Sequence, residues 1–242
     1  MKLITLNIWG GHLAEPLLSF FEEKRNVDVF CLQEVYYRAK TAVSDDARTL
    51  SLDIFSQIQR KLPDHRGYFK PVLNHSYGIA TFVRKDLEIS QEGAVSVYSN
   101  PSYSGMGPSH SRDLQWIQIV KNEQLYTVFN LHGLWNGRGK GDSAERIEQA
   151  KKVRDTMCLF EGQKILCGDF NLKPTTESMK IMEVDLHNLV RLYGITSTRT
   201  SYYPKEERFA DYVLTSPRVM IHDFKVLGDE VSDHSPLYVE FS

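Results

Sequence analysis

Positive charge is not in surplus in this sequence: 29 Lys and Arg stand against 31 Asp and Glu among 242 residues, a formal net charge of −2. A protein that coats a long polyanion needs a field of one sign, so bulk wrapping of nucleic acid is excluded, although a local phosphate site is not. Cysteine is equally sparse. Cys31, Cys158 and Cys167 are too few for a disulfide framework, and Cys31 and Cys167 lie in apolar runs where a free thiol behaves as a small hydrophobe. A reducing compartment follows. No apolar run reaches the length of a membrane span. After Lys2, the stretch Leu3-Ile4-Thr5-Leu6 is too short for the apolar core of a secretory signal and gives way to Asn7 and Trp9. The expectation is a soluble cytoplasmic protein, monomeric and without a membrane anchor. Repeats, low-complexity tracts and long linkers are also missing, so residues 1–242 are expected to form one domain.

What is present is an ordinary globular composition, 41% hydrophobic and 25% charged. An apolar run over 2–8 predicts an opening strand, which Gly10 and Gly11 release into a turn. Leu17, Leu18, Phe20 and Phe21 predict a helix over 15–24, and the apolar run over 27–32 predicts a buried strand ending at Gln33-Glu34. Leu50, Ile54, Ile58 and Leu62 recur at every fourth residue ahead of Pro63 and predict a second helix. Strands are predicted over 77–84, 113–120 and 125–131, with a Gly/Ser/Pro-rich loop over 99–111 and a hairpin turn at Asn122-Glu123. Asp142 and Glu145 have capping-box spacing before a helix whose stripe is Ile147, Ala150, Val153, Met157 and Phe160. A strand over 164–167, a helix over 177–190, a polar aromatic loop over 196–208 and strands over 209–215, 219–226 and 237–241 complete the pattern. Mixed strands and helices with hairpin-like neighbours point to an α/β domain of sheet layers with helices outside.

Polar groups collect where the apolar strands stop: Asn7, Glu34, His132, Asp169 with Asn171, Asp211, and Asp233 with His234. Within Gly168-Asp169-Phe170-Asn171, strand residues two apart face the same way. A carboxylate and an amide can then address one ligand, a hard oxygen-ligated cation and a water or phosphate oxygen beside it. Taken alone, the same four residues read equally as an Asx-turn, Glu34 as a solvated strand end, and His132 before Gly133 as a turn histidine. Asp211 differs, because a carboxylate inside Phe209-Ala210-Asp211-Tyr212-Val213-Leu214 needs a partner. The expected partner is His234, whose tautomer and proton affinity such a carboxylate would set. Loops at one edge of a rigid sheet are where catalytic groups are commonly mounted.

Six segments in order, Leu6-Asn7-Ile8-Trp9, Leu32-Gln33-Glu34-Val35, Asn130-Leu131-His132-Gly133, Gly168-Asp169-Phe170-Asn171, Asp211-Tyr212-Val213-Leu214 and Ser232-Asp233-His234-Ser235-Pro236, resemble the endonuclease/exonuclease/phosphatase superfamily. They span nearly the whole chain. The resemblance implies a four-layered α/β sandwich, two packed mixed β-sheets flanked by helices, and phosphoester hydrolysis dependent on Mg²⁺, with Mn²⁺ as a substitute. It implies Glu34 as the principal metal ligand, with Asn7 and Asp233 near the metal. Asp169 would orient or deprotonate the attacking water, Asn171 hold a non-bridging phosphate oxygen, and His132 hold another oxygen or the leaving group. His234, supported by Asp211, would act as general base or as a cationic clamp.

His132 also bears on the branch. Abasic-site endonucleases of the exonuclease III type usually place tyrosine there. Histidine is seen in relatives resembling deoxyribonuclease I, neutral sphingomyelinases, inositol polyphosphate 5-phosphatases, deadenylases and tyrosyl-DNA phosphodiesterases. Substrate-binding candidates are Arg138 and Lys140 in the glycine-rich loop, Arg112 at the start of its strand, and Tyr203 among Tyr202, Lys205 and Arg208. Arg146, Lys151, Lys152 and Arg154 extend this basic run, the last three reading equally as a solvated helix face. The expected activity is a phosphodiesterase acting on a nucleic acid end or strand, or on a small phosphodiester. The alternative is a phosphomonoesterase for a soluble polyphosphate such as an inositol phosphate. A sphingomyelinase is disfavoured by the missing anchor, with Trp135 the one reservation, and a catalytically dead binding module by the full set of metal and water-positioning groups.

Overall fold

The computed structural model describes residues 1–42, 51–105 and 109–242. Its strands are β1 (Lys2–Asn7), β2 (Val29–Tyr36), β3 (His65–Leu73), β4 (Tyr77–Arg84), β5 (Glu88–Tyr98), β6 (Arg112–Lys121), β7 (Gln124–His132), β8 (Gln163–Asp169), β9 (His187–Asn188), β10 (Asp211–Thr215), β11 (Ile221–Val226) and β12 (Leu237–Phe241). The helices are α1 (Ala14–Glu23), α2 (Ile54–Lys61), α3 (Ala144–Cys158), α4 (Glu177–Glu183) and α5 (Leu189–Leu192). The strands form two six-stranded sheets, ordered β11-β12-β1-β2-β4-β3 and β5-β6-β7-β8-β10-β9. Both are mixed: β1–β2 and β7–β8 are parallel pairs, and their other partners run antiparallel.

The sheets pack face to face. Leu3, Val29, Cys31 and Val83 of the first share one core with Ile117, Val128, Ile165 and Val213 of the second. Leu17, Phe20 and Phe21 of α1 and Ile54 and Ile58 of α2 cover the first sheet's other face at Ile4, Leu6, Phe30 and Phe82. Val153 and Met157 of α3 and Met179 and Met182 of α4 join the core of the second sheet. This is the four-layered α/β sandwich the resemblance implies. Cys31 and Cys167 are buried free thiols, and Cys158 is exposed. Among the described residues no helix is long and apolar enough to cross a membrane.

Several expected elements change on the structure. β3 and β5 lack sequence predictions because both run along sheet edges and are mostly half-buried or exposed, which leaves little alternation to read. The expected helix over 177–190 is broken. Val184 is extended, Asp185 has φ 60°, and the chain re-enters as β9 and α5. Ser143, not Asp142, caps α3 by accepting from the Arg146 N–H; Asp142 instead accepts from the backbone N–H groups of Glu177 and Ser178 and from the Ser178 hydroxyl at the head of α4. Phe160 lies past the end of α3, packed edge-on to Trp116 and Phe129. Leu50 and part of the 99–111 loop lie outside the described residues. The hairpin turn is as expected, with Asn122 and Glu123 at φ 51° and 63°, the left-handed pair that a tight hairpin requires.

Strand direction decides where the polar ends go. The C-terminal ends of β1, β2, β7 and β8 meet the N-terminal ends of β6, β10 and β12 at a single edge of the sandwich, with His132 and Asp211 both in register with Asp169. Gly168 makes that register possible. Its φ is 138°, and a Cβ there would run into the Leu131 carbonyl oxygen of the neighbouring strand. Gly168→Ala is therefore expected to destabilise the protein by at least about 2 kcal/mol, read as a lower urea midpoint.

Candidate active site

Glu34 owes its direction to a bulge. The β2–β4 register shifts between Leu32 and Val35, and Glu34 itself has φ 59°. A bulge re-aims a side chain out of the pleat, and a non-glycine residue held there costs about 1–3 kcal/mol. The carboxylate remains 29% exposed at the edge. Asn7, fully buried at the end of β1, donates from Nδ2 to Glu34 Oε1 at 2.9 Å and to Asp169 Oδ2 at 3.0 Å. Its Oδ1 accepts the Trp9 N–H at 3.0 Å. Asn7 thus ties two carboxylates together and turns nitrogen, not oxygen, towards them.

Asp169 is the last residue of β8, so Asn171 does not share a strand face with it as the spacing predicts. Asn171 has φ 54°, and its N–H donates to Asp169 Oδ1 at 2.9 Å. The Asx-turn is real, and it is what builds the site: it fixes one Asp169 oxygen while Oδ2 faces Asn7 and both imidazoles. Asn171 Nδ2 donates to the Gly133 carbonyl at 3.3 Å.

The two histidines are driven apart chemically. His234 Nδ1 lies 2.8 and 2.9 Å from the two oxygens of Asp211, whose Oδ2 also accepts from the Thr198 hydroxyl at 3.0 Å. Its Nε2 is 3.7 Å from Asp169 Oδ2 and 3.9 Å from Asp233 Oδ1. Burial and Arg199 lower the proton affinity of His234, but Asp211, Asp233 and Asp169 together carry it above the ordinary imidazole value. Burial and the adjacent Arg112 push His132 well below that value. Arg112 Nη1 sits 3.3 Å from His132 Nδ1, which makes that nitrogen the acceptor and places the proton on Nε2. That Nε2 lies 3.8 Å from Asp169 Oδ2 and 3.9 Å from Glu34 Oε1. Two titratable groups separated in this way suit different roles at neutral pH.

The carboxylates diverge as well. Burial would raise Asp169, but His234, His132, Lys140 and Arg199 hold it below the usual carboxylate range. Glu34 is raised, first by burial and then by Asp233 and Asp169. A proton-hungry, half-exposed carboxylate close to the ionised Asp169 is what a cation would relieve, so the donor set fits a hard divalent metal. Asp169, Asp211 and His234 also offer ligand atoms within 4.8 Å of one another. Within that trio Asp211 and His234 already satisfy each other, which leaves Glu34, outside the trio, the more open carboxylate at this edge.

Of the substrate-binding candidates, Lys140 and Arg112 are both buried at this edge. Lys140 Nζ donates to the Phe209 carbonyl at 3.2 Å, and burial lowers its pKa to about 8. Tyr203 is half-buried, its ring centroid 5.4 Å from Lys140 Nζ. Arg138 is exposed, and among the described contacts only its backbone N–H is engaged, with Asn136 Oδ1. Arg146 is buried as a brace of the glycine-rich loop, donating to the carbonyls of Leu134, Gly139 and Gly141. Lys151, Lys152 and Arg154 are exposed along α3. Arg154 lines a cavity of about 430 Å³ with Gln163 and Lys164, at the opposite end of β8 from Asp169. Trp135 is half-buried between Arg146 and Lys205.

Sequence reasoning missed three features. Arg199, in the 196–208 loop, is paired with Asp233, and its side chain is nearly fully buried. Thr198 holds Asp211 from the same loop. Beneath the site, Gln33 donates to Asn130 Oδ1 at 2.8 Å and Asn130 to the Leu32 and Ala80 carbonyls, a polar seam between the sheets.

The profile of the Endonuclease/Exonuclease/phosphatase family matches residues 4–234. The chain belongs to this family. It is a family of phosphoester hydrolases. No curated protein matches the sequence. Among solved structures, the mannosyl-6-phosphatase Bt3783 of Bacteroides thetaiotaomicron VPI-5482 superposes with a TM-score of 0.79 at 19% identity, over 100% of this chain and 99% of that one. Humanized D. rerio TDP2 gives 0.75 at 17%, over 100% and 98%. The human Nocturnin catalytic domain with bound sulfate gives 0.68 at 16%, over 100% and 94%. At these identities the neighbours share the fold.

Proposed function

We propose that the protein is a divalent-metal-dependent phosphoesterase that hydrolyses its substrate by in-line attack of water. The observation that carries the reading is the convergence of Glu34, Asp169, Asn171, His132 and the Asp211–His234 pair on one buried edge. Glu34 and Asp233 would hold Mg²⁺, or Mn²⁺ in its place, with Asn7 orienting the carboxylate. The metal supplies Lewis-acid polarisation of a phosphoryl oxygen when bound. Asp169, kept ionised, takes a proton from the attacking water or orients it. Asn171 and the Nε2–H of His132 offer hydrogen bonds to phosphoryl oxygens, where fixed donors are worth most as charge develops. His234, fixed by Asp211 and protonated more readily than an ordinary imidazole, serves as base or as a cation beside the phosphate.

The substrate we favour is a small phosphodiester or a nucleic acid end. The cations that reach the centre, Arg112, Lys140 and the Asp233-paired Arg199, have buried side chains, and the exposed basic residues of α3 lie elsewhere. That supports a single phosphate site over a duplex-tracking surface. The same buried cations support a second reading, a phosphomonoesterase, because a dianionic monoester draws more from them than a monoanionic diester does.

Turnover of bis-p-nitrophenyl phosphate, p-nitrophenyl phosphate, single- and double-stranded DNA, RNA, a 5′-tyrosyl oligonucleotide and inositol phosphates with Mg²⁺ separates the readings. Cleavage of at least one substrate is expected, abolished by EDTA and restored by Mg²⁺ or Mn²⁺. Undiminished cleavage in EDTA would sink the metal assignment, and no cleavage of any substrate would sink the phosphoesterase itself.

A further inference from the structure

Arg199 sits inside the catalytic edge, not on its rim. Its side chain is 3% exposed, and Nη1 lies 3.2 Å from Asp233 Oδ2. The guanidinium carbon is 3.9 Å from the centroid of the Tyr203 ring, and a backbone bridge pairs Arg199 with His234. A guanidinium carries five N–H donors in a rigid fork. Among the described residues only Nη1 is engaged in a hydrogen bond, and the buried Nε has no partner. Leaving a charged donor such as this Nε buried and unmet is costly. An oxygen-rich ligand entering beside His234 would meet the donors that Asp233 does not take. The planar fork matches a phosphoryl group, and stacking on Tyr203 fixes its plane in advance.

We propose that Arg199 is a substrate-contacting catalytic residue that clamps the non-bridging oxygens of the phosphoryl group through the donors Asp233 leaves unused, with Tyr203 as its positioning residue. The proposal rests on the phosphoesterase reading of this site. It makes the centre an oxyanion site in its own right, able to hold inorganic phosphate with no metal present. The competing account is that Arg199 only neutralises Asp233 and braces the 196–208 loop.

The test uses the full chain as wild type, Arg199→Met, Arg199→Lys, Asp233→Asn and the Arg199→Met/Asp233→Asn double variant. Inorganic phosphate affinity is measured by calorimetry in EDTA, kcat and KM with Mg²⁺, and thermal midpoints for each. Arg199→Met is expected to lower kcat by about 10²–10³-fold and phosphate affinity by about tenfold or more. Arg199→Lys keeps the charge against Asp233 without the fork, so it should fold normally yet recover little of the kcat. It carries the test if the methionine variant fails to fold. The loss of phosphate affinity should persist in the Asp233→Asn background, where a mere counter-charge has nothing left to neutralise. The proposal is overturned if that loss disappears in the Asp233→Asn background, or if Arg199→Lys matches wild type in both phosphate affinity and kcat. Should the wild type cleave no phosphoester while Arg199→Met still loses phosphate, the oxyanion site stands and the phosphoesterase reading falls.

Discussion

Asp211→Asn is expected to lower kcat by about 10⁴-fold, on the scale seen when the acid of a buried Asp–His pair is made an amide, with the protein still folded. Asp211 accepts from His234 Nδ1 through both oxygens and from Thr198. An amide can satisfy one of these contacts with oxygen, but its NH₂ then faces an N–H, and the imidazole turns or takes the other tautomer. The charge goes too. Asp211 is the first of the acids that lift His234 against burial and Arg199, so the pH–rate limb governed by His234 should move towards acid. Stability carries the same signature. His234 is held above its ordinary 6.5, so the pairing stabilises fully below that pH and fades as pH rises through the folded value. The variant should therefore lose more stability relative to wild type near pH 6 than near pH 9. A kcat within tenfold of wild type, or a stability deficit that does not shrink with rising pH, would remove the pair from the mechanism.

Asp211 also marks how much the sequence discloses. A carboxylate in an apolar strand announces a partner, and the adjacent acid and imidazole at Asp233-His234 supply one, so the pair is legible without coordinates. The same holds for the strand ends, because runs such as 77–84 are buried on both faces and stop abruptly at polar groups. Edge strands fail that test: β5 is mostly exposed, and its pairing with β6 is set by the neighbour, not by its own pattern. The break at Val184 and Asp185 is likewise invisible, since it follows from a left-handed residue that no glycine signals. At the site itself, residue types were readable but their aims were not. The aim of the Glu34 carboxylate, the amide orientation of Asn7 and the pairing of Arg199 are settled by contacts across 27, 162 and 34 residues of sequence. Local propensity carries no information at that range.

Glu34→Gln should separate activity from stability in opposite directions. Activity falls by about 10³-fold or more, because losing the open carboxylate forfeits several kcal/mol of metal-dependent charge stabilisation at about 1.4 kcal/mol per tenfold. Stability of the metal-free protein rises. Glu34 is lifted above its ordinary 4.5 by burial and by Asp233 and Asp169, so its ionised form is disfavoured in the fold. That penalty is absent below pH 4.5, grows as pH climbs through the folded value and is complete above it. Glutamine keeps the hydrogen-bonding oxygen for Asn7 Nδ2 and discards the charge. Thermal melts in EDTA should show the variant above wild type at pH 7.5 and level with it near pH 4. Mg²⁺ then reverses the order: wild type gains about 2.7 kcal/mol at a hundredfold excess over Kd, and the variant gains little. A variant that Mg²⁺ stabilises as much as wild type would move the metal away from Glu34 and towards the Asp169, Asp211 and His234 donors. Equal melts in EDTA at pH 7.5 would mean instead that the bulge leaves this carboxylate better hydrated than its neighbours imply.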